Sequence, residues 1–529
     1  MEPHLGTSIS SHIQEHDVFD QQVIASNCNT QHVSVDSGAR DYYGVIARDL
    51  LHLLPEKRDC ERLVQVFFDR VEWIHHIVYR PSFDVWYRSI TQGAQDSGEF
   101  CRSDCMWFAL LYVMLCLALY FGVSLTVDLH RTAEDFFRLS CKALEASEYL
   151  DHPSAISIQV LVMQGLWLND HRKSNRHHHN LAIAIRMANL LGMGQLDARN
   201  GVRCTQGESA EKELHRRIFW SLVCQDYYMA SSCNFTYLIP PMQIATNLPQ
   251  DVDDDDTGCR TSGVPTAMSY HIAKIPFAQS VRRYVDLCHS GQGISYEEVL
   301  SLEQETRRLY AELPPYLQHG LATPSTSLQW QALFMEITLH NRIMRLHRSF
   351  MARGYNDMKY RHSTRVTLAS AKRLLDLVSQ GKQGNFPGLR WWVIRIHVFS
   401  AGVACCVALF HERLQHAGMN ITAHPLIRHI EQAFSLLSEA LECSNAAQNA
   451  RETLHVLYNH ALTLVPTREV EYMDARRTAP SDEQWQANPE PMSMIDVDWN
   501  ALLLPDTLRP QDLDGAIKDT IIEFASTGH

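Results

Sequence analysis

The stretch EKELHRRIFWSLVCQDYYMASSCNFTYLIPPMQIATNLPQDVD, running from Glu211 to Asp253, decides how the rest of the chain is read. Its first half has the spacing of an amphipathic helix. Leu214, Ile218, Phe219, Leu222, Val223 and Tyr227 recur at steps of three and four, which places them on one buried face. Glu213 and Arg217 stand four apart, at the spacing of a surface ion pair. The second half contains Pro240, Pro241 and Pro249, which forbid a continuing helix.

Outward from this stretch the pattern stays helical. Apolar residues at helical spacing occupy Cys60–Val78, Arg131–Leu150, Ser157–Leu168, Asn180–Leu191, Lys274–Cys288, Tyr296–Leu313, Ser327–Phe350, Arg365–Ser379, Gly388–Glu412 and Pro425–Leu464. Gly192 suits the end of a helix and Pro425 the start of one. Arg80-Pro81-Ser82-Phe83 is expected to end the first of these segments, Asp197–Ser209 to be a polar linker, and Asp251–Gly263 an exposed acidic loop. No run alternates apolar with polar residues, so the expected fold is all-α. Three regions follow. Residues 1–40 are polar and expected to be disordered, residues 41–465 are a large helical domain, and residues 466–529 are an acidic, partly apolar tail.

The motifs resemble those of the middle homology region of fungal transcription factors. Arg216-Arg217-Ile218-Phe219-Trp220, preceded by Glu213 and followed by Asp226, is similar to that family's central signature. Ala184–Gly192 resembles the helix before it, and Leu346-His347-Arg348-Ser349-Phe350 the closing helix. Two positions depart from the family pattern. Tyr227 stands where an arginine is usual, and Asn234-Phe235-Thr236 replaces a Gly-Arg-Pro. The resemblance implies a transcription regulator rather than an enzyme, acting in the nucleus (a cytoplasmic location is the alternative). It fits control of a secondary-metabolite gene cluster. It also implies contact with other transcription factors or coactivators, a homo- or heterodimer, or a small-molecule effector. Glu213, Arg216, Arg217, Trp220 and Asp226 are then the candidate site, as structural pairs in the helical core or as the lining of an effector pocket.

Composition and chemistry are consistent with that implication. The chain has 529 residues, 45% hydrophobic and 20% charged, with a net charge of −13, so it has no overall basic footprint for nucleic acid. Its 14 cysteines include no Cys-x-x-Cys pair, and the first 100 residues hold only Cys28 and Cys60. The six-cysteine zinc cluster with which such regulators read DNA is therefore not legible in this sequence, and DNA is expected to be reached through a partner. No secretory signal opens it. Met106–Val127 carries no charge and is long enough to span a bilayer, but Tyr112, Tyr120, Gly122, Ser124 and Thr126 dilute it, and a buried core helix is expected instead of a membrane contact.

No cofactor, metal or catalytic set emerges. His177-His178-His179, with His171 nearby, reads as a hydrated surface turn, and His75-His76 as satisfied core or rim residues. Asp251-Val252-Asp253-Asp254 has the spelling of a proton-donating Asp-x-Asp-Asp box but sits among further acids and reads as solvated. The tail segment Ile495–Leu508 places Trp499, Leu502 and Leu503 at helical spacing between aspartates, as a candidate activation segment that folds on a coactivator. The rival readings are a helical enzyme, or a scaffold or dimerisation partner on the same domain.

Overall fold

The computed structural model describes residues 37–463 except 93–99, 123–130, 172, 199–209, 255–263, 290–292, 319–325, 385, 416–423 and 440–444. The expected tail segment, with Trp499, Leu502 and Leu503, lies outside the described residues, as do residues 1–36. Ser37–Arg40, expected to be disordered, already belong to the first helix.

The described residues are helical, with no strand among them. In chain order the helices are α1 (Ser37–His52), α2 (Lys57–Arg70), α3 (Arg80–Gln92), α4 (Arg102–Phe121), α5 (Ala133–Ala146), α6 (Ala155–Leu168), α7 (Ser174–Leu190), α8 (Ala210–Met229), α9 (Ser269–Ala273) and α10 (Ile275–His289). They continue as α11 (Tyr296–Ala311), α12 (Pro315–Gln318), α13 (Thr326–Met351), α14 (Arg361–Gln383), α15 (Trp392–Gln415), α16 (Pro425–Ser438) and α17 (Asn445–Thr463). Two compact units result. One takes the described chain up to Glu336 together with Gly384–Trp392. The other takes Ile337–Gln383 and the described chain from Val393 onward.

Several expected boundaries move. Arg80-Pro81 opens α3 instead of closing the preceding helix, because a proline in a first turn forfeits no backbone hydrogen bond. The helical run over Cys60–Val78 is α2 followed by a separate 3-10 turn, Glu72–Ile74. The single helix expected over Pro425–Leu464 is two, α16 and α17. Pro425 does occupy a first turn, where His424 Nδ1 accepts the Leu426 N–H at 3.3 Å. Gly192 ends α7 at φ +69°, the left-handed conformation that a Cβ disfavours.

In the first unit the core is built round α4, which is buried on all sides from Cys105 to Ala118. Its few polar groups are satisfied inside the protein. The Asp104 carboxylate accepts the Cys101 N–H at 2.8 Å, Tyr112 Oη donates to the Leu50 carbonyl at 2.5 Å, and Tyr120 Oη donates to Asp170 at 2.5 Å. A second focus is Trp73. Its ring lies 6.0–6.5 Å from those of Tyr270, Trp330, Phe334, Phe386 and Trp391, which ties Gly384–Trp392 into this unit. In the second unit, α15, α16 and α17 meet at small residues. A Cβ on Gly402 would lie 3.1 Å from Ala433 Cβ and 2.9 Å from Leu454 Cδ2, so the backbones approach closely only because Gly402 has none.

Two helices, Arg102–Phe121 and Trp392–Arg413, are long and apolar enough to cross a membrane, but 89% and 83% of their apolar windows are buried inside the protein. A helix so covered has no face to offer lipid. In cell fractionation, membranes washed with carbonate are expected to retain none of the chain. Retention would place α4 in lipid.

The His177–His179 turn is where the sequence reading fails. These residues lie in the first turns of α7, and His177 is buried. Its Nε2 is 3.1 Å from Met229 Sδ, and its ring packs on Gly165, where an added Cβ would lie 2.1 Å from Cε1. Polar neighbours in sequence misled the reading, because Asn175, Arg176 and His179 face outward while His177 faces α6 across a glycine. Burial, with His178 nearby, pushes the His177 ring down to about 3. The unfolded ring titrates near 6.5, so the folded state binds fewer protons below that pH. The stability tied to the neutral ring is complete above 6.5 and is lost as pH falls toward 3. At pH 5, 1.5 below that value, roughly 1.4 kcal/mol per pH unit gives a loss of about 2 kcal/mol. His177→Gln cannot titrate. Its stability difference from wild type, measured by urea unfolding, is expected to shift in the variant's favour by about 2 kcal/mol between pH 7.5 and pH 5.

Candidate functional site

Helix α8 carries the signature, and its surroundings differ from the expected single buried stripe. From Arg216 to Cys224 every residue is buried, whereas Leu214, assigned to the core face, is only half-buried. The reason is the segment that follows. After Met229 the chain turns at Asn234 and Phe235, both left-handed at φ +58° and +57°. These positions replace the family's glycine-containing turn, so two residues with side chains hold a conformation that glycine adopts freely. The chain then runs back along α8 in irregular form to Asp254.

The signature side chains hold this returning segment in order. Asp226 Oδ2 accepts the N–H groups of Leu238 and Ile239, each at 2.8 Å. Tyr227 Oη donates to the Ile239 carbonyl at 3.1 Å, so the tyrosine in place of arginine anchors the same turn. Trp220 Nε1 donates to the Asn247 carbonyl at 2.8 Å. Glu213 Oε1 accepts the Gln250 N–H at 2.9 Å. Arg217 Nη1 reaches Asp254 at 2.5 Å. Positions 226, 220 and 213 thus bind positions 238–239, 247 and 250, an antiparallel order. Thirteen residues of α8 are about 20 Å long, a span that the returning segment covers easily.

The two arginines lie inside an ion-pair network. Arg216 is fully buried and bidentate to Asp197, with Nη2 at 2.7 Å and Nε at 3.1 Å, and Lys212 reaches the same carboxylate at 2.8 Å. Asp197 Oδ2 also accepts the Asn247 N–H at 2.8 Å. Hydrogen bonding from Arg216 holds the Asp197 carboxyl well below the usual carboxylate range. Asp197 was expected in a polar linker and is instead the partner of the signature. Glu213 contacts both arginines at 3.5 Å, and burial raises its carboxyl despite them. The Glu213–Arg217 pair thus forms at the expected spacing but is buried rather than on the surface. Burial also pushes Asp226 up to about 6, against the pull of the two backbone N–H groups.

The network continues into residues outside the signature. His76, at a left-handed φ of +50°, lies 3.4 Å from Arg217 Nη1 and 3.7 Å from Asp254, while its Nδ1 is 2.6 Å from Glu72. Burial opposes its protonation, but Glu72 outweighs burial and raises the ring. His271 stacks on His76 with centroids 5.6 Å apart, and Lys274 Nζ is 3.1 Å from His271 Nδ1. Asp251–Asp254, expected to be solvated, is part of the fabric. Asp251 accepts from Thr266 Oγ1 at 2.5 Å and Ser269 Oγ at 2.7 Å, and Asp253 accepts the Ala267 N–H at 2.7 Å. These aspartates fix the start of α9.

The sequence pattern of the fungal specific transcription factor domain matches residues 64–277, the span from α2 to the start of α10 that contains every residue of this network. The agnestins biosynthesis cluster transcription factor AgnL11 of Paecilomyces divaricatus is 24% identical over 505 residues, covering 88% of this chain and 72% of that protein. The probable transcription factor lepB of Aspergillus flavus is 24% identical over 359 residues, covering 61% of this chain and 63% of that one. Among solved structures, one described as "Structure of the K. lactis CBF3 core" superposes with a TM-score of 0.51 at 10% identity, over 77% of this chain and 82% of that one, which shows a shared fold. Residues 64–277 of the chain thus carry a fungal specific transcription factor domain, and its relatives include fungal transcription factors of biosynthetic clusters.

Proposed function

We propose that this chain regulates transcription of a fungal secondary-metabolite gene cluster from the nucleus. Residues 41–465 act as its regulatory body and residues 466–529 as its activating tail. The observation that carries the reading is the domain match over residues 64–277, together with relatives that are named as transcription factors of biosynthetic clusters. The geometry supports a regulatory body over a catalytic one. The polar atoms of Glu213, Arg216, Trp220 and Asp226 are directed at the chain's own backbone and ion pairs, which is the work of a scaffold. Regulation then proceeds through a bound effector or a partner, with DNA reached through that partner.

The test is a deletion strain with transcripts counted across the neighbouring biosynthetic genes. Loss of the gene is expected to change their levels at least several-fold, with restoration by the wild-type chain. Unchanged transcripts across every biosynthetic cluster would overturn the reading. The tail is tested apart from this. Ile495–Leu508 fused to an unrelated DNA-binding domain is expected to activate a reporter, and Trp499→Ala with Leu503→Ala to silence it. A silent wild-type fusion would remove the tail from the proposal.

A further inference from the structure

Between Ile337 and Leu375 the chain carries nine lysines and arginines and a single acid, Asp357, although over its whole length acids outnumber these bases by 60 to 47. Four of the nine, Arg353, Lys359, Arg361 and Arg365, are exposed and gathered at the start of α14 in the second unit. Arg353 Cζ lies 5.9 Å and Lys359 Nζ 5.5 Å from the centre of the same Tyr360 ring. Arg361, next in the chain, donates to Met358 Sδ at 3.5 Å. Arg365 stands one turn further on, its Nη2 3.5 Å from His362 Nδ1. Lys372, half-buried, returns to the same side of α14 about 17 Å beyond Arg361. Arg361, Arg365 and Lys372 fall within an arc of about 40°, opposite the buried Val366, Ser370 and Leu374.

This charge is not neutralised within the protein. Lys382, at the far end of α14, pairs with Glu439 at 2.5 Å. Among the described residues no carboxylate pairs with Arg353, Lys359, Arg361 or Arg365. Asp357 turns an oxygen to the Lys359 backbone N–H at 2.8 Å. The first turn of α14 holds no acid, so its cations stand at the positive end of the helix dipole, where negative charge is the stabilising choice. The surface is also firmly built. A Cβ on Gly354 would lie 2.1 Å from Thr364 Oγ1 and 2.5 Å from the Tyr360 carbonyl oxygen, so the turn carrying Arg353 sits directly on α14. Thr364 Oγ1 donates to the Met351 carbonyl at 2.6 Å, and Phe350 stacks on Tyr360 with centroids 5.4 Å apart.

We infer that this basic face, formed by Arg353, Lys359, Arg361, Arg365 and Lys372, lies against the phosphate backbone of duplex DNA. Charge complementarity names a polyanion, and the missing apolar component decides which. An acidic, amphipathic peptide docks its apolar residues in a groove. The large apolar side chain exposed beside these cations is Met358, a single residue at 74% exposure. A phosphate backbone needs only cations held at a surface. The stretch from Arg361 to Lys372 faces about five nucleotides of one strand at roughly 3.4 Å each. Such contacts position a protein on DNA and carry no sequence information. The inference therefore goes beyond the function proposed above: the partner reads the sequence, and this face holds the neighbouring backbone.

The experiment uses the full 529-residue chain and a fluorescein-labelled duplex of arbitrary sequence, followed by anisotropy between 50 and 200 mM potassium chloride. Wild type is expected to bind with a dissociation constant on the order of 10 μM at 50 mM salt, and to weaken on the order of 100-fold at 200 mM, as about four phosphate contacts require. Arg361→Gln with Arg365→Gln should weaken binding about tenfold or more at 50 mM and make the salt slope shallower by about 2. Arg361→Lys with Arg365→Lys keeps the charge and should bind as wild type does. Arg138→Gln with Arg308→Gln makes the same change in net charge at two exposed arginines already paired with Glu134 and Glu312, and should leave binding unchanged. Melting temperatures of all three variants within about 2 °C of wild type exclude misfolding as the cause. The inference is overturned if wild type does not bind the duplex, if the Arg361 and Arg365 glutamine variant keeps the wild-type slope, or if the Arg138 and Arg308 variant loses as much. It is also overturned if labelled Ile495–Leu508 peptide binds this face, with the same dependence on Arg361 and Arg365, in place of DNA. Binding is read without transcription, so unchanged transcripts in the deletion strain would remove the regulatory reading and leave the DNA contact standing.

Discussion

Trp220→Ala is expected to lower the stability of the first unit by about 3–5 kcal/mol, the range for truncating a buried tryptophan. Two losses combine. The indole is buried, with the Phe219 ring centroid 6.3 Å away, so its removal opens a cavity in the middle of α8. Its N–H also bonds the Asn247 carbonyl at 2.8 Å, and this bond holds the midpoint of the returning segment. Trp220→Phe separates the two, since it keeps most of the ring and loses only the hydrogen bond, at a cost of about 1–2 kcal/mol. Urea unfolding of both variants measures the difference. If they are equally destabilised, the hydrogen bond rather than the ring governs this position.

The second large effect is expected at Arg216. Breaking a buried ion pair by removing one partner costs about 3–5 kcal/mol, because the other charge stays buried and unpaired. Arg216→Met leaves Asp197 with only Lys212 and the Asn247 N–H, and removes one of the two arginines beside Glu213. Lys212→Met is the comparison. Lys212 shares the same carboxylate, but its side chain is 24% exposed against 0% for Arg216, so the change should cost no more than about 1 kcal/mol. Arg216→Met should also raise the Asp197 carboxyl toward the ordinary range, which makes the variant's stability less sensitive to acid than that of wild type. Equal destabilisation by the two substitutions would show that the lysine, not the bidentate arginine, holds Asp197.

Much of the fold was legible because helices are written locally. Spacing at three and four residues marked α2, α6, α10 and α11, and Gly192 and Pro425 marked a helix end and a helix start through their own backbone chemistry. The charge-free run in α4 fitted a core helix or a membrane span equally well in length, and the tyrosines and small polar residues that dilute it favoured the core. The signature's resemblance located the decisive helix but said nothing of what its charged residues touch.

Those contacts depend on distance through space, which no local pattern encodes. Arg216 finds its acid 19 residues upstream at Asp197, and Arg217 finds one 37 residues downstream at Asp254. A helix whose charges are met by two returning segments has no need of a polar face, so the periodicity of α8 understated its burial. His177 shows the same limit from the other side. Its sequence neighbours are polar, yet a glycine on α6 leaves room for an imidazole, and packing put it in the core. Periodicity reports which face of a helix avoids water on average. Which charges are buried, and against what, is settled only when distant segments meet, because an ion pair is worth keeping inside only where its partner is already in place.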